Sequence, residues 1–245
     1  AHLVESDPEE SGKRRIIPSL WPDAGTVNEG LLGDASELDE TTFRDPGFAQ
    51  VELSSKKFAE VASDVLGHRM ENDERIVVLG EDVHRLGGGT NGITKRALKV
   101  APDRVLGTPI SENAFAGLAA GMALDGRYRP VVELMYPDFV WVAADQIFNQ
   151  IGKARHMFGA NNTMPLVLRT KVAIGSGYGS QHSMDPAGVF ATSPGWRIAA
   201  PSTAADYVGL MNTALDLEDP VLVLEHVDLY RSRDAGPKDC THHPI

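Results

Sequence analysis

One carboxylate stands out among the residues of this chain that could carry chemistry. Glu112 lies in the stretch LGTPISENAFAGLAAG (106–121), directly before a run of small residues with helical spacing. The free amide groups and the dipole of a helix's first turn favour a negative charge. Glu112 could therefore hold or transfer a proton at a helix N-terminus, although such a Glu seen alone is ordinarily a capping residue.

The small residues after Glu112 predict close packing of that helix. Ala116 and Ala120 are four residues apart, as are Gly117 and Gly121, so small side chains form two adjacent rows. Each glycine costs a helix roughly 0.5–1 kcal/mol relative to alanine. This pattern predicts a helix pressed against another backbone.

His182 is the second candidate. It follows the glycine-rich segment Gly175–Gly179, which is not a helix-opening dinucleotide fingerprint. A histidine in a flexible loop can act as acid, base or oxyanion partner near pH 7. Without other information, a structural hydrogen-bonding histidine is the simpler interpretation.

Composition limits the classes of function. The chain has 245 residues and a formal net charge of −11, which argues against nucleic-acid or anionic-membrane partners. Its single cysteine, Cys240, cannot form an intrachain disulfide and suits a cytoplasmic protein. No apolar run approaches the ~18–20 residues of a membrane span.

Apolar runs of strand length alternate with helical patterns from about residue 54. Ser54 or Ser55 is the predicted N-cap of the first helix, and one longer helix is predicted after Phe139. The alternation predicts an α/β fold: a three-layer arrangement of parallel strands with helices on both faces of the sheet. Ligands bind beyond the carboxyl ends of such strands. The segments holding Glu81, Glu112, Phe139 and His182 each follow a predicted strand, so these residues are expected on one rim.

The ends of the chain differ from its centre. Residues 1–50 show no sustained periodicity and are predicted to form an extended linker or strap. Residues 51–235 form the predicted domain, and 236–245 a tail leading to an absent C-terminal domain. Because the chain begins at Ala1 rather than at methionine, we expect it to be a piece of a longer protein.

A set of ordered motifs identifies a family resemblance. The motifs are VVLGEDV (77–83), TPISENAFAGLAAGMALDG (108–126), RPVVELMYPDF (129–139), ADQIFNQIGKA (144–154), QHS (181–183), PGWRIAAPST (194–203) and DPVLVLEHVDLY (219–230). In this order they resemble the pyrimidine-binding domain of transketolase-like thiamine diphosphate enzymes. The resemblance is closest to the beta half of the decarboxylating component of 2-oxo acid dehydrogenases, of pyruvate or branched-chain type. Residues 16–46 resemble the junction of fused alpha–beta chains.

The resemblance implies roles for four residues. Glu112 matches the glutamate that bonds N1′ of the cofactor's aminopyrimidine, and a carboxyl group in a dry, apolar pocket keeps its proton more readily. Phe139 matches the aromatic residue that packs on the pyrimidine ring. Val142 lies where many relatives carry a Gln that contacts the pyrimidine. His182 matches the histidine that assists acyl transfer to the lipoyl group.

The resemblance also implies cofactors and partners. Relatives hold the diphosphate and Mg²⁺ through a GDG motif in a separate alpha-type domain, and this chain has no GDG. We therefore expect it to contact half of the cofactor and to be inactive alone. Relatives also bind K⁺ through backbone carbonyls, at positions matching Leu166, Ala214, Leu215 and Asp219. The expected partners are a diphosphate-binding domain, a lipoyl acyltransferase and further copies in an oligomer.

The predicted function is that of a thiamine diphosphate-dependent 2-oxo acid dehydrogenase, which decarboxylates a 2-oxo acid and transfers the acyl group to a lipoyl acyltransferase. Alternatives are a transketolase-like or acetoin-type thiamine enzyme, which would share Glu112, and a non-catalytic assembly module. The sequence does not identify the 2-oxo acid or the oligomeric state.

Overall fold

The computed structural model describes residues 3–20, 52–158 and 162–240. The predicted linker of residues 1–50 is therefore described only in part; Val4–Ser6 (β1) and Arg14–Ile16 (β2) pair there as an antiparallel hairpin. The remaining elements are β3 (Leu53–Lys57), α1 (Phe58–Asn72), β4 (Ile76–Glu81), α2 (Lys95–Val100), β5 (Val105–Thr108), α3 (Glu112–Leu124), β6 (Arg129–Leu134), α4 (Ala154–Met157), β7 (Val167–Val172), α5 (Ala187–Ala191), β8 (Arg197–Ala199), α6 (Ala204–Asp216), β9 (Val221–His226) and β10 (Arg233–Pro237).

A parallel sheet forms the centre of the domain. Within the described residues its strand order is β5-β4-β6-β7-β9-β8, and every neighbouring pair is parallel. The central strands are buried on both faces, which explains their continuous apolar runs. The predicted fold class is confirmed.

Two hydrophobic clusters lie on opposite faces of this sheet. Alternate strand residues such as Val78 and Val131 pack with α1, α2 and α6. Their neighbours Leu79 and Val132 pack with α3 and with the segment 140–154. Because side chains alternate along a strand, each face received its own core.

The first helix begins later than predicted. Ser54 and Ser55 pair with Gly236 and Ala235 in the antiparallel ladder between β3 and β10. Their backbone groups are engaged in that ladder, so the N-cap at Ser54 or Ser55 was wrong. Helix α1 begins at Phe58 instead, where the Glu60 carboxylate accepts a 3.0 Å hydrogen bond from the Lys57 amide.

The single long helix predicted after Phe139 was also wrong. The segment forms a 3₁₀ turn at Pro137–Trp141, a π-helix at Asp145–Ile151 and the short helix α4. The carbonyl of Ile147 accepts hydrogen bonds from the Gly152 amide, at 3.1 Å, and from the Trp196 indole, at 3.1 Å. The five-residue spacing between Ile147 and Gly152 is the π-helical pattern.

Candidate active site

Glu112 opens helix α3 from a buried position. Its side chain is 6% exposed, and the Ser111 carbonyl accepts the first bonds of the helix from the amides of Ala114 and Phe115, at 3.0 and 3.1 Å. The partial positive charge of the helix N-terminus therefore acts on a carboxyl group with little access to water.

The small residues of α3 are only partly in close contacts. Ala116, Ala119, Ala120 and Ala123 are buried against the sheet, and a Cβ on Gly117 would lie 3.0 Å from the Gln146 amide oxygen. A Cβ on Gly121 would meet no atom within 4 Å. The close packing predicted from Gly121 was therefore wrong, whereas the alanine rows do face the core.

Glu81 is the immediate neighbour of Glu112. It ends β4 and is in register with Thr108 on β5. Gly80 precedes it with φ +155°, and a Cβ there would lie 2.7 Å from the Glu133 carbonyl oxygen. The next residue, Asp82, has φ 54°. Only glycine at position 80 allows the backbone to come this close to Glu133. This close approach sets the position of Glu81 relative to Glu112.

Glu81 and Glu112 lie close enough for the charge of Glu112 to affect the pKa of the Glu81 carboxyl group. Burial raises the pKa of Glu81, and the negative charges of Glu112 and Asp82 raise it further. A nearby like charge favours the protonated form of a carboxyl group, so Glu81 holds its proton to a higher pH than an exposed glutamate does.

Buried polar atoms at the same strand ends remain available to a ligand. Among the described residues, Glu81 Oε1 and Thr108 Oγ1 are buried without a hydrogen-bond partner. Buried polar atoms normally have partners. A ligand with nitrogen donors, such as an aminopyrimidine, fits these oxygens and the nearby buried carboxyl group.

An aromatic cluster joins the other two predicted residues, Phe139 and His182. Their ring centroids are 5.4 Å apart in an edge-on arrangement. Tyr136 lies edge-on to both, at 4.7 Å from the His182 ring and 6.2 Å from the Phe139 ring. Tyr178 completes the cluster at 5.7 Å from Tyr136. The predicted pair Phe139 and His182 is therefore brought into contact, and the Tyr136 ring contacts both.

Val142 lies at the surface. Its side chain is 58% exposed, beside Trp141 at 60%. Ile110, just before Glu112, is 84% exposed. Ile110 lies two residues before Glu112, and Trp141 and Val142 follow Phe139, so these exposed apolar side chains are close in sequence to predicted site residues.

The sequence analysis missed a buried ionic network on the opposite face of the sheet. Arg169 on β7 bonds both oxygens of Glu225 on β9, at 2.9 and 2.5 Å, and also bonds Glu133 on β6. The hydroxyls of Tyr207 and Tyr230 donate to Glu225 at 2.8 and 2.6 Å. Charged residues at matching positions inside three apolar strand runs were the signal that could have revealed it.

An open groove lies elsewhere in the described structure. It has a volume of about 1120 Å³ and runs between α1, α2 and the turn at residues 227–231. Its lining includes Tyr178 but not Glu112, Phe139 or His182. The buried Glu112 with its neighbour Glu81, and the aromatic cluster, carry the features of a catalytic site, whereas this open groove does not.

The sequence left side-chain metal ligands unassigned in this chain. In residues 3–20, 52–158 and 162–240, no group of three or more His, Cys, Asp or Glu side chains is placed to hold a metal ion. At the carbonyls implied for K⁺, Leu215 accepts a 3.2 Å bond from Arg129 and Leu166 a 2.9 Å bond from the Val221 amide. A cation there would have to share these oxygens.

Comparisons with known proteins identify the family of this chain. Residues 54–233 match the family model of the transketolase pyrimidine binding domain. The chain is 38% identical over 185 residues to the acetoin:2,6-dichlorophenolindophenol oxidoreductase subunit beta of Cupriavidus necator. The alignment covers 72% of this chain and 54% of that protein. It is 36% identical over 185 residues to the pyruvate dehydrogenase E1 component subunit beta of Staurastrum punctulatum, covering 76% and 56% respectively.

A solved structure shares the fold. The chain superposes on one titled "Split gene transketolase, inactive beta4 tetramer" with a TM-score of 0.56 and 20% identity, over 73% of this chain and 53% of that chain. This chain therefore belongs to the transketolase pyrimidine-binding domain family, and the predicted resemblance is confirmed. It spans about half the length of the relatives it matches. Within the described part of the chain, no helix has the length and apolar character to cross a bilayer.

Proposed function

We propose that this chain is the pyrimidine-binding portion of a thiamine diphosphate-dependent 2-oxo acid dehydrogenase. The observation that carries the proposal is the position of the buried Glu112, at the N-terminus of α3, close to the partly buried Glu81 at the end of β4. A protein that must move a proton to and from a ring nitrogen needs a carboxyl group that is dry and supplied with a proton. The similarity to two thiamine-family beta subunits supports the same assignment.

Each site residue has a proposed role. Glu112 holds a proton at N1′ of the aminopyrimidine, and Glu81 exchanges a proton with Glu112. Phe139 packs on the pyrimidine ring, and Val142 contributes an apolar contact where many relatives carry Gln. His182, held at the ring edges of Tyr136 and Phe139, serves acyl transfer to the lipoyl group.

When bound, thiamine diphosphate supplies a nucleophilic carbon and an electron sink for the loss of carbon dioxide. The residues of this chain orient its pyrimidine and control one proton. Mg²⁺ and the diphosphate belong to an alpha-type domain in this proposal. A K⁺ site and a cytoplasmic location stay predictions.

The exposed apolar residues at the site support the need for a partner. Ile110, Trp141 and Val142 are each more than half exposed, and each lies within three residues of Glu112 or Phe139 in the sequence. Large exposed apolar side chains near a functional site are typical of an interface. We therefore propose that a diphosphate-binding domain covers this edge, that the chain alone is inactive, and that the assembled oligomer serves a lipoyl acyltransferase.

A second candidate is an acetoin-type thiamine enzyme. The relative from Cupriavidus necator, named for acetoin oxidation, is as similar to this chain as the pyruvate dehydrogenase subunit. The pyrimidine contacts would be the same in both. The substrate therefore has to be decided by assay, with pyruvate, branched-chain 2-oxo acids and acetoin compared on one preparation.

Calorimetry with thiamine diphosphate and Mg²⁺ tests the proposal, on this chain alone and on the full-length protein with its partner. We expect tight binding only by the full-length assembly. Tight Mg²⁺-dependent binding by this chain alone would mean that the diphosphate site has been misplaced. Absence of binding by both would favour a non-catalytic assembly module.

A further inference from the structure

Lys171 is a buried cation that the proposed chemistry does not use. It lies near the end of β7, and its side chain is 2% exposed. Lysines are almost never fully buried unless they are paired, because removal of an ammonium from water is costly. Burial lowers the pKa of Lys171, with Arg169 adding to this effect and Glu133 and Glu225 opposing it. A buried ammonium group therefore needs a specific structural reason.

Charge compensation is one such reason. Two buried carboxylates, Glu133 and Glu225, face two buried cations, Arg169 and Lys171, so the four charges cancel. Arg169 makes the close contacts, with bonds to both carboxylates. Lys171 Nζ is 3.7 Å from Glu133 Oε1, beyond hydrogen-bonding distance. Its closest contact is therefore not a carboxylate.

The closest contact of Lys171 is the Thr90 hydroxyl, which accepts a hydrogen bond from the ammonium. Thr90 follows Gly87–Gly89, whose φ values are all positive. This glycine loop passes close to the network: a Cβ on Gly89 would lie 3.9 Å from both carboxylate oxygens of Glu133. The hydrogen bond from Lys171 to Thr90 therefore connects the glycine loop to strand β7.

The ammonium also lies over the face of Tyr136. The Nζ atom is 5.3 Å from the ring centroid, within the range of a cation–π interaction. Tyr136 is the ring that contacts both His182 and Phe139. One buried cation thus touches the glycine loop and the central ring of the aromatic cluster.

We propose that Lys171 is a positioning residue, which fixes the glycine loop through Thr90 and orients the Tyr136 ring that supports His182 and Phe139. This inference rests on the proposed function for its catalytic consequence. The loop attachment itself does not depend on that function, so the two can fail separately.

The test separates positioning from charge compensation. Lys171→Met alone leaves Glu133 and Glu225 with a single cation and can destabilise the fold. The double variant Lys171→Met with Glu133→Gln keeps the buried charges balanced while it removes the ammonium. Thr90→Val removes only the hydroxyl group at an exposed loop position, whereas Thr90→Ser keeps that hydroxyl group. Lys99→Met, on the exposed surface of α2, is the matched control.

Hydrogen exchange of residues 85–93 in the full-length assembly is the first readout. We expect exchange at least about tenfold faster in Thr90→Val and in the double variant, as for loss of a hydrogen bond to a charged group, with Thr90→Ser and Lys99→Met at the wild-type rate. In the double variant we also expect kcat/KM for lipoyl acylation to fall roughly tenfold. Unchanged exchange in both Thr90→Val and the double variant would overturn the inference and leave Lys171 as a counter-charge only. Absence of cofactor binding by the wild type would overturn the proposed function instead.

Discussion

Glu81 and Glu112 meet at the carboxyl end of β4, although 31 positions separate them in the chain and each comes from a different element. Glu81 ends a central strand, and Glu112 begins the helix that packs on one face of the sheet. Burial and the neighbouring charge of Glu112 both raise the pKa of the Glu81 carboxyl group.

Glu112→Gln should reduce turnover of the full-length assembly by about 10²–10⁴-fold, because amide nitrogen and oxygen cannot exchange the proton that a general acid–base residue supplies. Steady-state assay with a 2-oxo acid measures the loss, and circular dichroism checks the fold. Glu60→Gln is the control, since Glu60 is also a first-turn glutamate but is exposed at the start of α1. Near-normal turnover of Glu112→Gln would contradict the assignment of Glu112 as the residue that transfers the proton.

Glu81→Gln should change how stability depends on pH. The pKa of Glu81 is raised above its usual 4.5 by burial and by Glu112, so the folded protein holds this proton to higher pH than the unfolded chain. Above about pH 4.5 the free energy of unfolding therefore falls as pH rises, until the raised pKa is passed. In Glu81→Gln this fall should be absent.

Urea unfolding of the full-length protein between pH 4 and 7 measures that difference. Glu74→Gln, an exposed carboxylate just before β4, should keep the wild-type pH dependence. An identical profile in Glu81→Gln and wild type would show that Glu81 does not retain a proton in the folded state.

His182→Ala should impair acyl transfer more than decarboxylation. We expect a loss of about 10²–10⁴-fold in lipoyl acylation and a much smaller loss when an artificial electron acceptor replaces the lipoyl group. His156→Ala, an exposed histidine in α4, should affect neither assay. Equal losses in both assays would assign His182 to cofactor or substrate binding rather than to transfer.

Arg169→Met should destabilise the domain by about 3–5 kcal/mol, because it leaves Glu133 and Glu225 buried without their main cation. Tyr207→Phe removes one hydrogen bond to Glu225 and should cost about 1.5–3 kcal/mol. Denaturant unfolding ranks the two variants. A cost of Arg169→Met below that of Tyr207→Phe would contradict the proposed importance of the ion pair.

The same network predicts acid sensitivity. Burial opposes ionisation of Glu225, but Arg169 and the hydroxyls of Tyr230 and Tyr207 outweigh it, so its pKa is lowered. This contribution to stability is present above the usual value of 4.5 and is lost as pH falls through the lowered pKa. Tyr207→Phe should shift the acid unfolding midpoint upward, as measured by fluorescence.

Local patterns predicted the elements that position the site better than they predicted element ends. The strand predicted over Arg75–Gly80 forms at Ile76–Glu81, and the small-residue helix after Ser111 is present, because apolar strand runs and helical spacing are local properties. The N-cap at Ser54 or Ser55 failed because pairing with β10 engages that backbone. The long helix after Phe139 failed because the Trp196 indole and the Gly152 amide share the Ile147 carbonyl.

The sequence by itself determined the class of fold, the family and the candidates Glu112, Phe139, Val142 and His182, since these depend on periodicity and on motif order. Only the tertiary structure decided which groups meet: Glu81 with Glu112, Tyr136 with His182, and Lys171 with Thr90. The roles of these residues stay predictions. These contacts could not be predicted from the sequence, because each one joins residues of separate elements. The distance between such elements is set by how helices pack on a sheet, not by the local residue pattern.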